Sequence, residues 1–159
     1  MPDLLQIGEG FRGRDGHVSF LLRQAHTVFR AEIDRQLAPL GITGPQFSAL
    51  NVIGLIPGLS GTELARVSML TQQTTNEILL VLKRRRLIGR RARRGDRRIL
   101  EVSLTPEGAR VVARARRIVS GIERRMMADL DPTEERLFRA WLVSCARSLS
   151  EPSSTAAAR

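Results

Sequence analysis

The sequence predicts a mainly α-helical fold with one small β-hairpin: a winged helix-turn-helix lobe set between long terminal helices suited to dimerisation. Three observations predict it. Between residues 60 and 104, two short helical patterns run into a basic turn and then into a β-type alternation. Apolar stripes at steps of three and four lie on both sides of that segment. Finally, ten of the sixteen residues from Lys83 to Arg98 are Lys or Arg, against one Asp. Such a cluster repels itself on a free surface, and an anionic partner relieves the repulsion.

Residues 1–16 lack periodicity and carry several glycines, which predicts a flexible N-terminal arm. From His17 the pattern turns helical, with Val18, Leu21, Leu22, Ala25, Val28, Phe29, Ile33 and Leu37 on one stripe that Pro39 and Gly41 end. That stripe exceeds what one compact lobe needs, so a second subunit is its natural cover. Thr43 and Gln46 have capping-box spacing, and the helix they open presents Phe47, Leu50 and Ile53 before Pro57-Gly58 stops it. Ser60 and Glu63 repeat the box, starting a short helix expected to bury Leu64 and Val67. Thr71 caps the next helix, predicted from Gln72 to about Arg86.

That helix begins with Gln72, Gln73, Thr75 and Asn76, amides and hydroxyls that read base edges in a DNA groove. Leu87-Ile88 starts the first hairpin strand, the turn holds Arg94, Gly95 and Asp96, and Leu100, Val102 and Leu104 alternate along the return strand. Projecting from the tip, Arg97 or Arg98 has the reach to enter a narrow minor groove. Asp96 among so many arginines is expected to form an internal ion pair. Thr105-Pro-Glu-Gly opens a long helix with Val111, Val112, Ala115, Ile118, Val119, Ile122 and Met126 on one stripe. Asp131-Pro-Thr-Glu134 opens another, bearing Leu137, Phe138, Trp141, Leu142, Cys145 and Leu149. Residues 151–159 are expected as a disordered tail.

Composition narrows the function. Net charge is +10, the isoelectric point is about 11.6, and no long apolar run is present. Double-stranded DNA is therefore favoured over a membrane, and a cytoplasmic, nucleoid-associated protein is expected. A basic architectural or RNA-binding protein is the alternative. RNA recognition leans on exposed aromatics, and five Phe, one Trp and no Tyr leave few. One cysteine excludes an internal disulfide and a cysteine-rich zinc site. The sequence lacks HExxH, P-loop and GxSxG patterns, so no catalytic residue, metal or cofactor is expected. Cys145 lies between Leu142 and Leu149 on an apolar face and reads as a core cysteine rather than a redox sensor. His17 and His26, nine apart, share no metal-binding face.

Three segments, LGITGPQFSAL (40–50), TELARVSMLTQQTTNEILLVL (62–82) and RLIGRRARRGDRRILEVSLTPEG (86–108), resemble the MarR family of bacterial transcriptional regulators, and the resemblance covers roughly 17–150. It implies a domain over 17–150 in which helices in 17–42 and 106–150 join a homodimer around a DNA-binding lobe at 43–105. It also implies that the helix from Gln72 lies in the major groove, with Gln72, Gln73, Thr75 and Asn76 facing bases and Thr74 and Lys83 near phosphates. In the wing, Asp96 and Arg98 match a carboxylate paired with a groove-contacting arginine, with Arg94 and Arg97 beside them. Many members are repressors released from a palindromic operator by a small, aromatic or anionic effector; here His17, Phe20, Phe47 and Leu50 would line its pocket. Two departures stand out: Glu77, where relatives carry a basic or neutral side chain, and Leu80-Val81, usually polar, which make the run 78–82 wholly apolar.

Overall fold

The computed structural model describes residues 6–150, so the expected tail at 151–159 lies outside the described residues. The chain divides into two compact units, Met1–Ile122 and Glu123–Arg159. The first opens with a 3-10 turn at Gly10–Arg12, followed by α1 (Val18–Leu37), a second 3-10 turn (Ala38–Leu40), α2 (Gly44–Leu55), α3 (Gly61–Val67) and α4 (Gln72–Arg84). The hairpin β1 (Ile88–Arg93) and β2 (Asp96–Leu104) comes next, and α5 (Pro106–Met126) begins directly after it. The second unit contains α6 (Pro132–Ser150).

Side-chain caps start α2, α3, α4 and α6 where their spacing says they should. At α2, Thr43 Oγ1 accepts the Gln46 N–H while Gln46 Oε1 accepts the Thr43 N–H at 3.2 Å. Ser60 and Glu63 exchange the same pair of bonds at α3, at 3.2 and 2.7 Å. Thr71 Oγ1 accepts the Thr74 N–H at α4. At α6, Asp131 Oδ1 accepts the Glu134 N–H, and Glu134 Oε2 accepts the Asp131 N–H. Each cap satisfies donors that the first helical turn leaves unpaired, at about 1 kcal/mol apiece.

The core of the first unit joins α2, α3, α4, the hairpin and α5. Leu37, Leu50, Ile53, Leu64, Leu79, Leu82 and Val102 are fully buried, and Val111, Val112, Ala115, Val119 and Ile122 of α5 complete the cluster. A side chain of this size contributes roughly 1.5–3 kcal/mol when removed from water. The strands pair antiparallel from Ile88↔Leu104 to Arg91↔Glu101, and the register shifts between Ala92 and Arg93. Residues 58–60 add a third rung, with the Val102 N–H donating to Leu59 O at 2.8 Å and Ser60 bridging Glu101. The start of α5 is stitched to the start of β1: Thr105 N–H donates to Leu87 O, and Thr105 Oγ1 donates to Arg86 O and accepts the Gly108 N–H. Gly108 has no room for a side chain, because a Cβ there would overlap the Leu87 carbonyl.

Four expectations need correction. The part of the arm from residue 6 to 16 is ordered against α1. Arg12 Nε donates to Gln24 Oε1 at 2.9 Å, Gln24 Nε2 donates to Arg12 O, and the rings of Phe11 and Phe20 meet edge-on at 5.2 Å. Val67 is exposed at the end of α3 rather than buried. Cys145 is half-buried, because α6 contains no buried residue and leaves Leu137, Trp141 and Leu149 exposed. Asp96 caps its turn through the backbone, its Oδ1 accepting the Arg98 N–H at 3.0 Å, rather than through an arginine side chain.

Candidate nucleic-acid interface

Helix α4 has two faces. Thr75, Ile78, Leu79 and Leu82 turn into the core, and Gln72, Gln73, Asn76, Glu77, Leu80, Lys83 and Arg84 are exposed. Thr75 is 0% exposed, and its hydroxyl has no hydrogen-bond partner. It therefore leaves the set of base-reading side chains assigned from sequence. Gln72, Gln73 and Asn76 remain, with Thr74 half-buried at the cap and Lys83 exposed two turns on.

The outward side chains hold one another in place. Gln72 Nε2 donates to Asn76 Oδ1, and Gln73 Nε2 donates to Glu77 Oε1, both at 3.2 Å. Glu77 thus takes an amide as its partner, not an arginine, and lies on the exposed face.

The arginines of the hairpin divide into structural and unengaged groups. Arg93 Nη2 donates to Glu63 Oε2 at 3.0 Å and to Gly58 O at 3.1 Å, and its Nε donates to Glu101 Oε1 at 3.1 Å. The Ser60 cap and the Arg93 guanidinium together lower the Glu63 carboxyl to about 2, and the two carboxylates raise Arg93. Arg91 lies opposite Glu101 and bonds it at 3.4 Å. Arg85 donates to the carbonyls of Leu40 and Gly41, closing the corner between α1 and α2. Arg93 and Arg85 are committed to the fold, while Arg91 keeps an 84% exposed side chain beside its single contact. Arg90, Arg94, Arg97 and Arg98 are exposed on the hairpin. Gly95, at φ +89°, makes the two-residue turn that projects the tip.

Between α4 and the hairpin lies a cleft of about 460 Å³, lined by Gln72 and Asn76 on one wall, Arg90, Arg98 and Leu100 on the other, and the start of α3 at its floor. The structure thus brings together the polar start of α4 and Arg98, as the sequence suggests. It adds Arg90, whose signal was available: it alternates with Arg91, which faces Glu101.

The four residues assigned to an effector pocket do not stay together in this role. Leu50 is fully buried in the core and Phe47 packs against that core, so Leu50 is corrected from pocket wall to structural residue. His17 occupies the exposed N-cap of α1. Phe20 lines a shallow cavity of about 240 Å³ with Arg12, Arg23, Gln24, Thr27 and Val28, and Arg23 lies 5.2 Å from its ring centroid. Among the described residues no cluster of three or more His, Cys, Asp or Glu is placed to hold a metal, and no helix is long and apolar enough to cross a membrane.

Comparison with known proteins bears on the same segment. A family model described as the MarR family matches residues 40–99. The HTH-type transcriptional repressor Rv2887 of Mycobacterium tuberculosis is 34% identical over 128 residues, spanning 80% of this chain and 92% of the relative. The crystal structure of that Mycobacterium tuberculosis protein in complex with DNA is similar at a TM-score of 0.67 and 30% identity, covering 82% of this chain and 98% of the other. Its complex with salicylic acid is similar at 0.66 and 32% identity, covering 83% and 98%.

Proposed function

This chain belongs to the MarR family, and from that membership we propose that it is a dimeric, sequence-specific DNA-binding transcriptional repressor, released from a palindromic operator by a small aromatic or anionic effector. The cleft between α4 and the hairpin carries this reading, because it sets amides that read bases beside arginines that neutralise phosphates. In this reading α4 enters the major groove through Gln72, Gln73 and Asn76, while Arg94, Arg97 and Arg98 carry the tip to the neighbouring minor groove. Asp96 holds the Arg98 backbone in place. Thr74 and Lys83 approach phosphates.

A second copy accounts for the apolar side chains that one chain leaves in water. Val18, Leu22 and Val28 of α1, and separately Leu137, Trp141 and Leu149 of α6, are exposed. The mycobacterial repressor's complex with salicylic acid supports an aromatic carboxylate as the effector class. The architectural or RNA-binding alternative gains nothing, since no aromatic residue lies between Gly61 and Leu104.

The test is binding of the purified protein to a palindromic duplex selected from genomic fragments, against a scrambled duplex of equal length. The selected duplex should bind roughly 10³-fold tighter or more at physiological salt, and salicylate should lower its affinity. Equal affinity for the two duplexes would defeat the proposal.

A further inference from the structure

The apolar run at 78–82 is the feature of α4 that groove reading by amides leaves unused. Its members part company in the structure. Ile78, Leu79 and Leu82 are buried and Val81 is half-buried, but Leu80 is 54% exposed. A single exposed leucine is ordinary on a protein surface; what sets Leu80 apart is its place on the helix.

Successive residues turn by about 100° around a helix axis, so residues seven apart nearly superimpose. Gln73 and Leu80 therefore share one line along α4, at the middle of its exposed arc. Gln72 and Lys83 flank that line on one side, and Glu77 and Arg84 flank it on the other. The buried residues lie opposite. A helix that presents Gln73 to a groove floor turns Leu80 to the same side about two turns further on. Lys83 and Arg84, one on each side of the line, keep its edges suited to phosphate, and Leu80 between them offers phosphate no partner. An apolar group there has one complementary feature in B-DNA: the 5-methyl of thymine, which the major groove displays.

Resting on the reading of α4 as the groove-entering helix, we infer that Leu80 is a specificity-determining residue that packs on a thymine methyl in each half-site. The contact removes a methyl group from water and rejects a cytosine at that position, which offers no methyl.

The test uses the full-length protein and the duplex selected above. Thymines are replaced by deoxyuridine, one symmetric pair at a time, which deletes only the methyl. Losing one buried methyl costs roughly fourfold in affinity, so a symmetric pair should cost about fifteenfold. One pair should show that loss with the wild-type protein. Leu80→Ala should bind the unmodified duplex more weakly by a similar factor and show no further loss at that pair. Unchanged thermal melting of Leu80→Ala would confirm that the exposed site does not affect folding. The inference is overturned if no pair responds, if Leu80→Ala keeps the same deoxyuridine penalty, or if Leu80→Ala is monomeric where wild type is dimeric, which assigns Leu80 to the contact between copies. Failure to select any duplex would overturn the regulator reading itself. A selected duplex with uncoupled methyls overturns the role of Leu80 alone.

Discussion

The turn end of the hairpin carries one residue type in two settings and uses it in opposite ways. On its inner side, Arg93 is 29% exposed on its side chain and spans Glu63, Glu101 and the Gly58 carbonyl. One residue further on the setting changes: Arg94, Arg97 and Arg98 are exposed, and Asp96 Oδ1 holds the turn by accepting the Arg98 N–H. The inner arginine finds its counter-charges within the chain, so its charge is offset there. The tip arginines project theirs outward, where a condensed anion such as the DNA backbone is the natural partner. The ten-in-sixteen cluster is therefore two populations, and only one of them is available for binding.

Removing the tip should give the largest effect. Arg97→Ala with Arg98→Ala should weaken operator binding by at least roughly a hundredfold and flatten the dependence of log K on log salt by about 2 per subunit. Thermal unfolding of the free protein should not change. A fall in melting temperature as large as that of an Arg93 variant would erase the distinction between the two settings.

A pair of neighbouring substitutions sharpens it. Arg94→Gln should lower the salt slope by about 1 per subunit and leave melting alone. Arg93→Gln should lower the melting temperature by several degrees, since Glu63 loses its cation and Glu101 keeps only the exposed Arg91 at 3.4 Å, and should change the slope less than Arg94→Gln does. Arg93→Lys should recover only part of the loss, because an ammonium cannot match the guanidinium fork across three acceptors. Differential scanning fluorimetry and titrations at several salt concentrations read both quantities.

The Arg93 cluster also has a signature in acid. The Glu63 carboxyl lies at about 2, below its ordinary 4.5, so the stabilisation it provides is complete above pH 4.5 and disappears as the pH falls toward 2. Wild type should therefore melt at a higher temperature than Glu63→Gln at pH 7, and the gap should narrow through that window. A gap of constant size from pH 7 to pH 2.5 would show that the carboxylate charge is irrelevant.

The smallest effect concerns the face of α4 turned away from the cleft. Thr75→Val replaces an unpartnered buried hydroxyl by a methyl of similar shape, and should stabilise the fold by about 1 kcal/mol with operator affinity unchanged. A marked loss of affinity would return Thr75 to the reading surface.

Much of this was legible because it is local. Thr43 with Gln46, Ser60 with Glu63 and Asp131 with Glu134 sit three residues apart, the distance at which a cap works, and Gly95 marks a turn that needs positive φ. The misplaced residues depend on phase or on distance along the chain. Thr75 looked like its neighbours, but a 100° turn decides between core and solvent. Arg93 meets Glu63 thirty residues away, and Arg85 meets Leu40 forty-five residues away. No spacing rule reaches that far. Strand parity offered a partial clue, because Arg91, Arg93 and Glu101 fall on one side of the hairpin and Arg90 on the other.

Gly108 has a mechanical consequence. With the Leu87 carbonyl occupying the space any side chain would need, and Thr105 bonded to residues 86 and 87, the first turn of α5 and the first residue of the hairpin cannot slide past one another. A displacement of the first turn of α5 therefore carries the start of the ribbon with it, because no side-chain volume separates the two.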